Sequence, residues 1–116
     1  MTYVGLNLTE ITNFDTTLKL ACMPRREITL ERVKELLVKE YKSCCHTEHA
    51  YILKLVKRRC EIDIKIDFLP LKYPLRKGDK VIIIFVCNIV HPPPTEGYSF
   101  EDMRKARIKF LLYTIS

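Results

Sequence analysis

Histidine is the residue type in this sequence best suited to acid–base chemistry, and the chain has three: His46, His49 and His91. Histidine changes charge near neutral pH, so it often donates or accepts protons in active sites. His46 precedes a segment with a helical pattern, which places it at a predicted helix N-terminus. Free backbone N–H groups and the helix dipole attract phosphate at such a position. These features predict that His46 faces a phosphate-bearing ligand, with a plain polar linker residue as the alternative.

Other familiar catalytic signatures are missing from the sequence. It has no glycine-rich phosphate loop, no G-x-S-x-G elbow and no H-E-x-x-H zinc motif. Its acidic residues are spread over predicted helix surfaces and strands, whereas a Mg²⁺ site usually needs several carboxylates together. A metal nuclease is therefore not expected, and we predict neither a metal nor a cofactor.

The five cysteines raise the question of a metal site. Cys44, Cys45, His46 and His49 are close enough in sequence to form a zinc site. However, the number of cysteines is odd, and the adjacent pair matches neither a zinc knuckle nor a C-x-x-C redox motif. Buried structural thiols are the preferred interpretation.

Length, charge and hydropathy limit the class of protein. The 116 residues fit one domain, residues 1–116, and 47% of them are hydrophobic, which is enough for a core. A formal net charge of +6 favours anionic partners such as nucleotides or nucleic acid, DNA included. No apolar run approaches the roughly 20 residues of a membrane span, and the first residues do not resemble a secretion signal. We expect an intracellular protein without membrane association.

Apolar periodicity predicts the elements that must position these residues. Apolar side chains recur at helical spacing after candidate N-cap residues, which is typical of amphipathic helices lying on a sheet. The predicted helices are one capped by Thr29 and reaching Tyr41, a second from His46 or Thr47 to about Arg59, and a short third that Ser99 and Asp102 open with a capping box.

Five β-strands are predicted. Residues 61–68 alternate strictly between apolar and polar types, as a strand with one solvated face does. Residues 81–87 are apolar on both faces and are therefore expected in the middle of a covered sheet. The other predicted strands are residues 2–6, 16–22 and 107–115, with a polar loop at 7–14. Because strands and helices do not alternate regularly, the predicted fold class is α+β, a mixed sheet of about five strands flanked by two or three helices.

An ordered set of motifs covers most of the chain. It comprises Glu27-Ile28-Thr29 leading into Val33-Lys34-Glu35-Leu36, His46 before a helix, Gly78-Asp79 before an apolar strand, and Glu96-Gly97. In order and spacing this set resembles the viral ring-nuclease anti-CRISPR family. Members of that family are small proteins, many from viruses of hyperthermophilic archaea, that form homodimers and cleave cyclic tetra-adenylate, the second messenger of type III CRISPR defence. The resemblance implies a homodimer that degrades a cyclic oligoadenylate without a metal.

The resemblance also implies roles for individual residues. His46 matches the family's catalytic histidine, which gives a proton to the leaving 5′-oxygen while the ligand's own 2′-OH attacks the adjacent phosphate. Glu96 matches a catalytic glutamate of the loop after the central strand. The implied ligand contacts are Asn7 and Thr9 after the first strand, Cys45 and Thr47 on either side of His46, and Asn88 and His91 after the central strand.

Two departures from the family pattern leave alternatives open. Cys45 stands where members usually have glycine, and the run 88–91 (NIVH) stands where they have an arginine that stabilises transition-state charge. Losing such a cation costs about 10²–10³-fold in rate, by analogy with an oxyanion-hole donor. The main alternative is a non-catalytic module of the same fold that binds a nucleotide or DNA. An adaptor that binds a host protein through a sheet edge is a third hypothesis.

Overall fold

The computed structural model describes residues 1–66, 73–90, 93–95 and 97–115. In these ranges one five-stranded mixed sheet is flanked by five α-helices and a short 3₁₀ turn, which confirms the predicted α+β class. The elements in chain order are β1 (Thr2–Gly5), α1 (Leu8–Ile11), α2 (Phe14–Ala21), β2 (Arg26–Ile28), α3 (Leu30–Val38), β3 (Tyr41–Ser43), the 3₁₀ turn (Thr47–His49), α4 (Ala50–Cys60), β4 (Lys80–Cys87), α5 (Phe100–Lys105) and β5 (Arg107–Thr114).

β4 is the central strand of the sheet, whose order is β2–β5–β4–β1–β3. β1 pairs in parallel with both β3 and β4, while β5 pairs antiparallel with both β4 and β2. Gly5 at the end of β1 lies opposite Ile83, so β4 continues past β1 with only β5 beside it. The central position predicted for residues 81–87 is confirmed.

Helices cover both faces of the sheet. Successive side chains of β4 point to opposite faces, and the side chains on each face are buried in a different core. Ile82 and Ile84 pack in one core, which includes buried residues of α3 and α4. Val81 and Ile83 pack in a second core, which includes Ile11 of α1 and a buried leucine of α2. α1 and α2 therefore lie on the face of the sheet opposite to α3 and α4.

The three predicted helices are present, together with two of their predicted caps, but the first ends at Val38, and Tyr41, which was predicted to belong to it, starts β3. The Thr29 side chain accepts a hydrogen bond from the N–H of Arg32 at 3.2 Å and starts α3. Ser99 and Asp102 form the predicted capping box at the start of α5. The helix expected after His46 extends to Cys60. α1 and α2 bring the number of α-helices in the described ranges above the two or three expected.

The prediction of a strand at residues 16–22 was wrong, because this segment belongs to α2. Asn13 caps the helix by accepting the N–H of Thr16 at 2.8 Å, and Leu20 is the helix residue that enters the core. β-branched threonines favour strands, but here the Asn13 cap and the burial of Leu20 stabilise a helix. The polar loop predicted at 7–14 likewise contains α1, whose cap is Asn7.

The strand predicted at 61–68 is also absent from its described part, residues 61–66. Ile62 and Ile64 are buried in the α3–α4 core, so the alternation correctly reported which side chains face inward. The Ser43 hydroxyl at the end of β3 donates to the Lys65 carbonyl. This side-chain hydrogen bond joins the segment to β3 without the backbone pairing of a β-strand. Two short strands that the sequence did not predict, β2 and β3, form the edges of the sheet.

Candidate functional site

The segment that carries His46 leaves β3 at the carboxyl edge of the parallel strands and is held by two buried cysteines. The Cys44 N–H donates to the Val4 carbonyl at 2.7 Å. Cys44 packs in the α1–α2 core, whereas Cys45 packs in the α3–α4 core, and neither has exposed surface. The adjacent cysteines thus fix this segment from both faces of the sheet, which leaves His46 as the first partly exposed residue.

His46 is the N-cap of the 3₁₀ turn that leads into α4. Its backbone is extended, and its ring Nδ1 accepts a hydrogen bond from the N–H of Glu48 at 3.2 Å. A ring nitrogen that accepts carries no proton, so the neutral ring holds its proton on Nε2. The Nε2–H group is therefore the one left to donate to a ligand.

Glu10 connects the loop after β1 to this segment. Its Oε1 accepts the N–H of Leu6 at 3.0 Å and that of Asn7 at 3.1 Å, which completes a capping box on α1. Its Oε2 lies 3.2 Å from Nδ1 of His49. The His49 N–H in turn donates to the His46 carbonyl at 3.0 Å. A chain of hydrogen bonds thus runs from the Asn7 loop to the backbone of His46.

Cys45 contributes packing rather than a reactive thiolate. Burial raises the pKa of its thiol to about 11; the Ser43 hydroxyl lowers it and the Glu10 carboxylate raises it further, both to a smaller degree. At neutral pH the thiol is therefore protonated and a poor nucleophile. Because Cys45 has no exposed surface, direct contact with a ligand would require the chain to move.

The structure brings some of the predicted ligand residues together. Asn7 and Thr9 are exposed at the start of α1, where the Thr9 hydroxyl donates to the Asn7 side chain. Thr47 is half-buried directly after His46. Glu10 and His49 join these two groups, although neither was predicted from the sequence. The Asn-x-x-Glu spacing of Asn7 and Glu10, which is a capping-box signature, was the signal that could have found Glu10.

Of the remaining predicted residues, the structure describes Asn88, which lies away from His46. Asn88 is exposed and has a left-handed backbone conformation (φ 62°). It lies five residues after Ile83, the β4 residue opposite Gly5, which is about 16 Å along the strand direction. It lines a basic depression with Arg59, Arg104 and Arg107 instead. Glu96, predicted to be catalytic, and His91, predicted to bind ligand, lie outside the described residues.

The described ranges contain neither a metal-binding cluster nor a helix that could span a membrane. Among these residues no group of three histidine, cysteine or acidic side chains could hold a metal ion. Cys44 and Cys45 point into opposite cores, so they do not form a pair of ligands. None of the described helices is long and apolar enough to cross a membrane.

One solved structure with a similar fold comes from a virus. The chain matches B116 of Sulfolobus turreted icosahedral virus with a TM-score of 0.57, over 97% of this chain and 97% of that one. The two sequences are 12% identical, so the likeness shows a shared fold. No family profile and no curated protein sequence matches the chain.

Proposed function

We propose that this protein is a metal-independent ring nuclease that degrades cyclic oligoadenylate, cyclic tetra-adenylate in the first place, and so counters type III CRISPR defence. The observation that carries the proposal is the geometry of His46, a partly exposed histidine at a helix start whose Nε2–H is left to meet a phosphate. The fold shared with a protein of a Sulfolobus virus agrees with the viral source of the family that the sequence resembles.

The cap on His46 has a consequence for the proposed reaction. A general acid must leave behind a stable ring, so His46 donates as the imidazolium with protons on both nitrogens. In that form Nδ1 no longer accepts the Glu48 N–H. A bound phosphate supplies what is lost, because its oxygens accept both the freed backbone N–H and a charge-assisted bond from the ring. The hydrogen bond from the Glu48 N–H therefore orients the ring before the ligand binds, and it breaks when the ring becomes protonated beside the bound phosphate.

The proposed step needs only groups of the ligand and His46. The 2′-oxygen forms a bond to the adjacent phosphorus and loses its proton to solvent. The bond from phosphorus to the 5′-oxygen breaks, and that oxygen takes the Nε2 proton of His46. The products are a 2′,3′-cyclic phosphate and a free 5′-hydroxyl group, and the ring is left neutral with its proton on Nδ1. Proton exchange with solvent returns it to the capped form with the proton on Nε2. A two-fold homodimer would present the same groups twice to a ring of repeating nucleotides.

Cleavage of cyclic tetra-adenylate in EDTA, followed by chromatography, tests this proposal. His46→Asn is the informative variant, because asparagine is a good N-cap but cannot give the proton. We expect it to fold normally and to lose about 10²–10⁴-fold in rate, the usual contribution of a general acid. His49→Asn is the matched control, since it removes an imidazole that faces Glu10, and it should stay within about tenfold of the native rate.

Two outcomes would contradict the proposal. One is an intact ligand after incubation with a stoichiometric amount of the native protein in EDTA. The other is a His46→Asn variant that cleaves as fast as the native chain.

A non-catalytic nucleotide- or DNA-binding module is the second candidate. It is favoured by the described residues directly after β4, Asn88 to Val90, which include no cation to stabilise a transition state. Calorimetry would then show tight binding of cyclic tetra-adenylate without cleavage and without an effect of His46→Asn. DNA binding would instead weaken steeply with salt and show no preference for the cyclic ligand.

A further inference from the structure

A groove lined by aromatic and basic side chains lies between α4 and α5, and none of its lining residues belongs to the His46 segment. Tyr51, Lys54 and Arg58 of α4 line one side, and Tyr98 and Met103 line the other. The groove encloses about 470 Å³, within the usual range for small-molecule sites. We call it the α4–α5 groove.

The groove continues into two further depressions. Arg58 and Met103 also line the second, of about 340 Å³, which Phe100 borders. Arg59 and Arg104 line both the second depression and the third, of about 530 Å³. Because neighbouring depressions share lining residues, the three form one continuous track along α4 and α5.

Positive charge dominates this track, and part of it is not neutralised. Glu101 pairs with Arg104 at 3.0 Å and with Lys105 at 3.7 Å, and Asp63 pairs with Lys57 at 3.5 Å. Of the cations that line the track, those that form no ion pair with any residue of the described ranges are Lys54, Arg58, Arg59 and Arg107.

The helix dipole explains only some of these cations. Basic residues in the last turn of α4 stabilise its C-terminus, which accounts for Arg58 and Arg59. Arg59 also donates to the carbonyls of Met103 and Ala106 at 2.6 and 2.7 Å, so its role is structural. Lys54 in the middle of α4 and Arg107 at the start of β5 have neither explanation. Their charges are available for an anionic ligand, and so is that of Arg58, which in the described ranges has no ion pair and a hydrogen bond only to the Met103 sulfur.

Aromatic rings line the same track. The rings of Tyr51 and Tyr98 are 5.9 Å apart at an angle of 50°. The Tyr98 hydroxyl donates to the Val90 carbonyl at 2.7 Å, which fixes its ring at the groove. Phe100 is 79% exposed, so its ring is open to a ligand at this depression.

We propose that this track binds a linear, single-stranded oligonucleotide. Lys54, Arg58 and Arg107 would contact its phosphates, and Tyr98 and Phe100 would stack on its bases. Proteins that bind single strands without sequence preference combine these two features, a positively charged groove and aromatic platforms. An acidic protein segment would satisfy the cations but would leave the rings without a planar partner.

Fluorescence anisotropy with labelled oligomers of about 12 nucleotides, one of uridine and one of deoxythymidine, tests the proposal. The two oligomers distinguish RNA from DNA as the source of the ligand. The groove variant is Lys54→Glu with Arg58→Glu. Its matched control, Lys19→Glu with Arg25→Glu, makes the same charge change at two exposed residues that do not line the track, Lys19 in α2 and Arg25 just before β2.

We expect at least one oligomer to bind and the groove variant to bind it at least about tenfold more weakly. For this variant the slope of log affinity against log salt should become shallower by about 1.4, because two phosphate contacts are lost and each contributes about 0.7 to the slope for single strands. The control variant should change affinity by less than about threefold. Tyr98→Leu should lose about tenfold in affinity with an unchanged salt slope, since stacking releases no counterions.

The proposal is overturned if neither oligomer binds the native protein at low salt. Equal weakening by the groove and control variants would also overturn it, because the effect would then be one of net charge. Equal competition by a polyglutamate peptide would assign the groove to an acidic protein partner instead. Should the double charge reversal impair folding, Lys54→Gln with Arg58→Gln makes the same test with a smaller expected effect.

Discussion

Nδ1 of His49 lies 3.2 Å from Oε2 of Glu10, and this contact joins the loop after the first strand to the segment that carries His46. The two residues are 39 positions apart in sequence. The other oxygen of the same carboxylate caps α1 by accepting the N–H groups of Leu6 and Asn7. One largely buried carboxylate therefore holds both predicted parts of the site in place.

Removing this carboxylate should destabilise the protein. We expect Glu10→Ala to lower the free energy of unfolding by about 1–2 kcal/mol, because two backbone N–H groups and one imidazole lose their acceptor. Urea denaturation followed by circular dichroism measures the change. Glu40→Ala is the matched control, since Glu40 is exposed and forms no ion pair within the described ranges. Equal stability of the two variants would contradict the bridging role of Glu10.

Gly5 should be intolerant of a larger side chain. A Cβ atom at this position would lie 3.0 Å from Cγ1 and 3.1 Å from Cδ1 of the buried Ile11, closer than ordinary packing allows. We expect Gly5→Ala to lower the free energy of unfolding by about 1–3 kcal/mol through overpacking.

A double-mutant cycle checks the cause of the Gly5 effect. Ile11→Ala should cost less in the Gly5→Ala background than in the native chain, because alanine lacks both Cγ1 and Cδ1, the two crowding atoms. If the two substitutions simply add, the contact between positions 5 and 11 is not the source of the destabilisation.

Alkaline pH should weaken the fold through Cys45. Its thiol has a pKa of 9.0 when solvated and about 11 when buried, so between these values the folded chain binds more protons than the unfolded chain. The free energy of unfolding therefore falls as pH rises from about 9 to about 11, by at most about 2–3 kcal/mol from this group. Below pH 9 its contribution is constant.

Urea denaturation at several pH values tests this linkage. Cys45→Ala removes the thiol, so its stability should fall less steeply with pH than that of the native chain between pH 9 and 11. Cys22→Ala is the control, because Cys22 is exposed, and its pH dependence should match the native one. Parallel curves for the native chain and Cys45→Ala would refute the assignment.

Neighbouring arginines of α4 should differ in their importance for stability. Arg59 donates to two carbonyls at the C-terminal end of α5, whereas the exposed Arg58 has a single hydrogen bond to the described residues, with the sulfur of Met103 at 3.6 Å. We expect Arg59→Ala to lower the free energy of unfolding by about 1.5–3 kcal/mol, because charged hydrogen bonds are lost. Arg58→Ala should stay within about 0.5 kcal/mol of the native value in the same denaturation experiment. The reverse order would contradict the structural role of Arg59.

Local signals predicted much of the fold correctly. Thr29 and Ser99 cap the helices that follow them, and the two-sided apolar run at 81–87 is the central strand. Such signals act within one turn of a helix or along one strand. The strands predicted at 16–22 and in the described part of 61–68, residues 61–66, are absent because propensity and alternation do not specify a pairing partner, and only pairing makes a strand.

The candidate site divides in the same way. The sequence by itself determined that His46 starts a helix, since the residues that form the cap and the helix are consecutive. Only the tertiary structure decided that Glu10 meets His49, that Cys44 and Cys45 enter opposite cores, and that Asn88 lies with the arginines of α4 and α5. These contacts join residues from different elements, and strand order, register and face determine which elements meet. Local propensity determines none of these three, because they depend on how the whole chain buries its apolar surface.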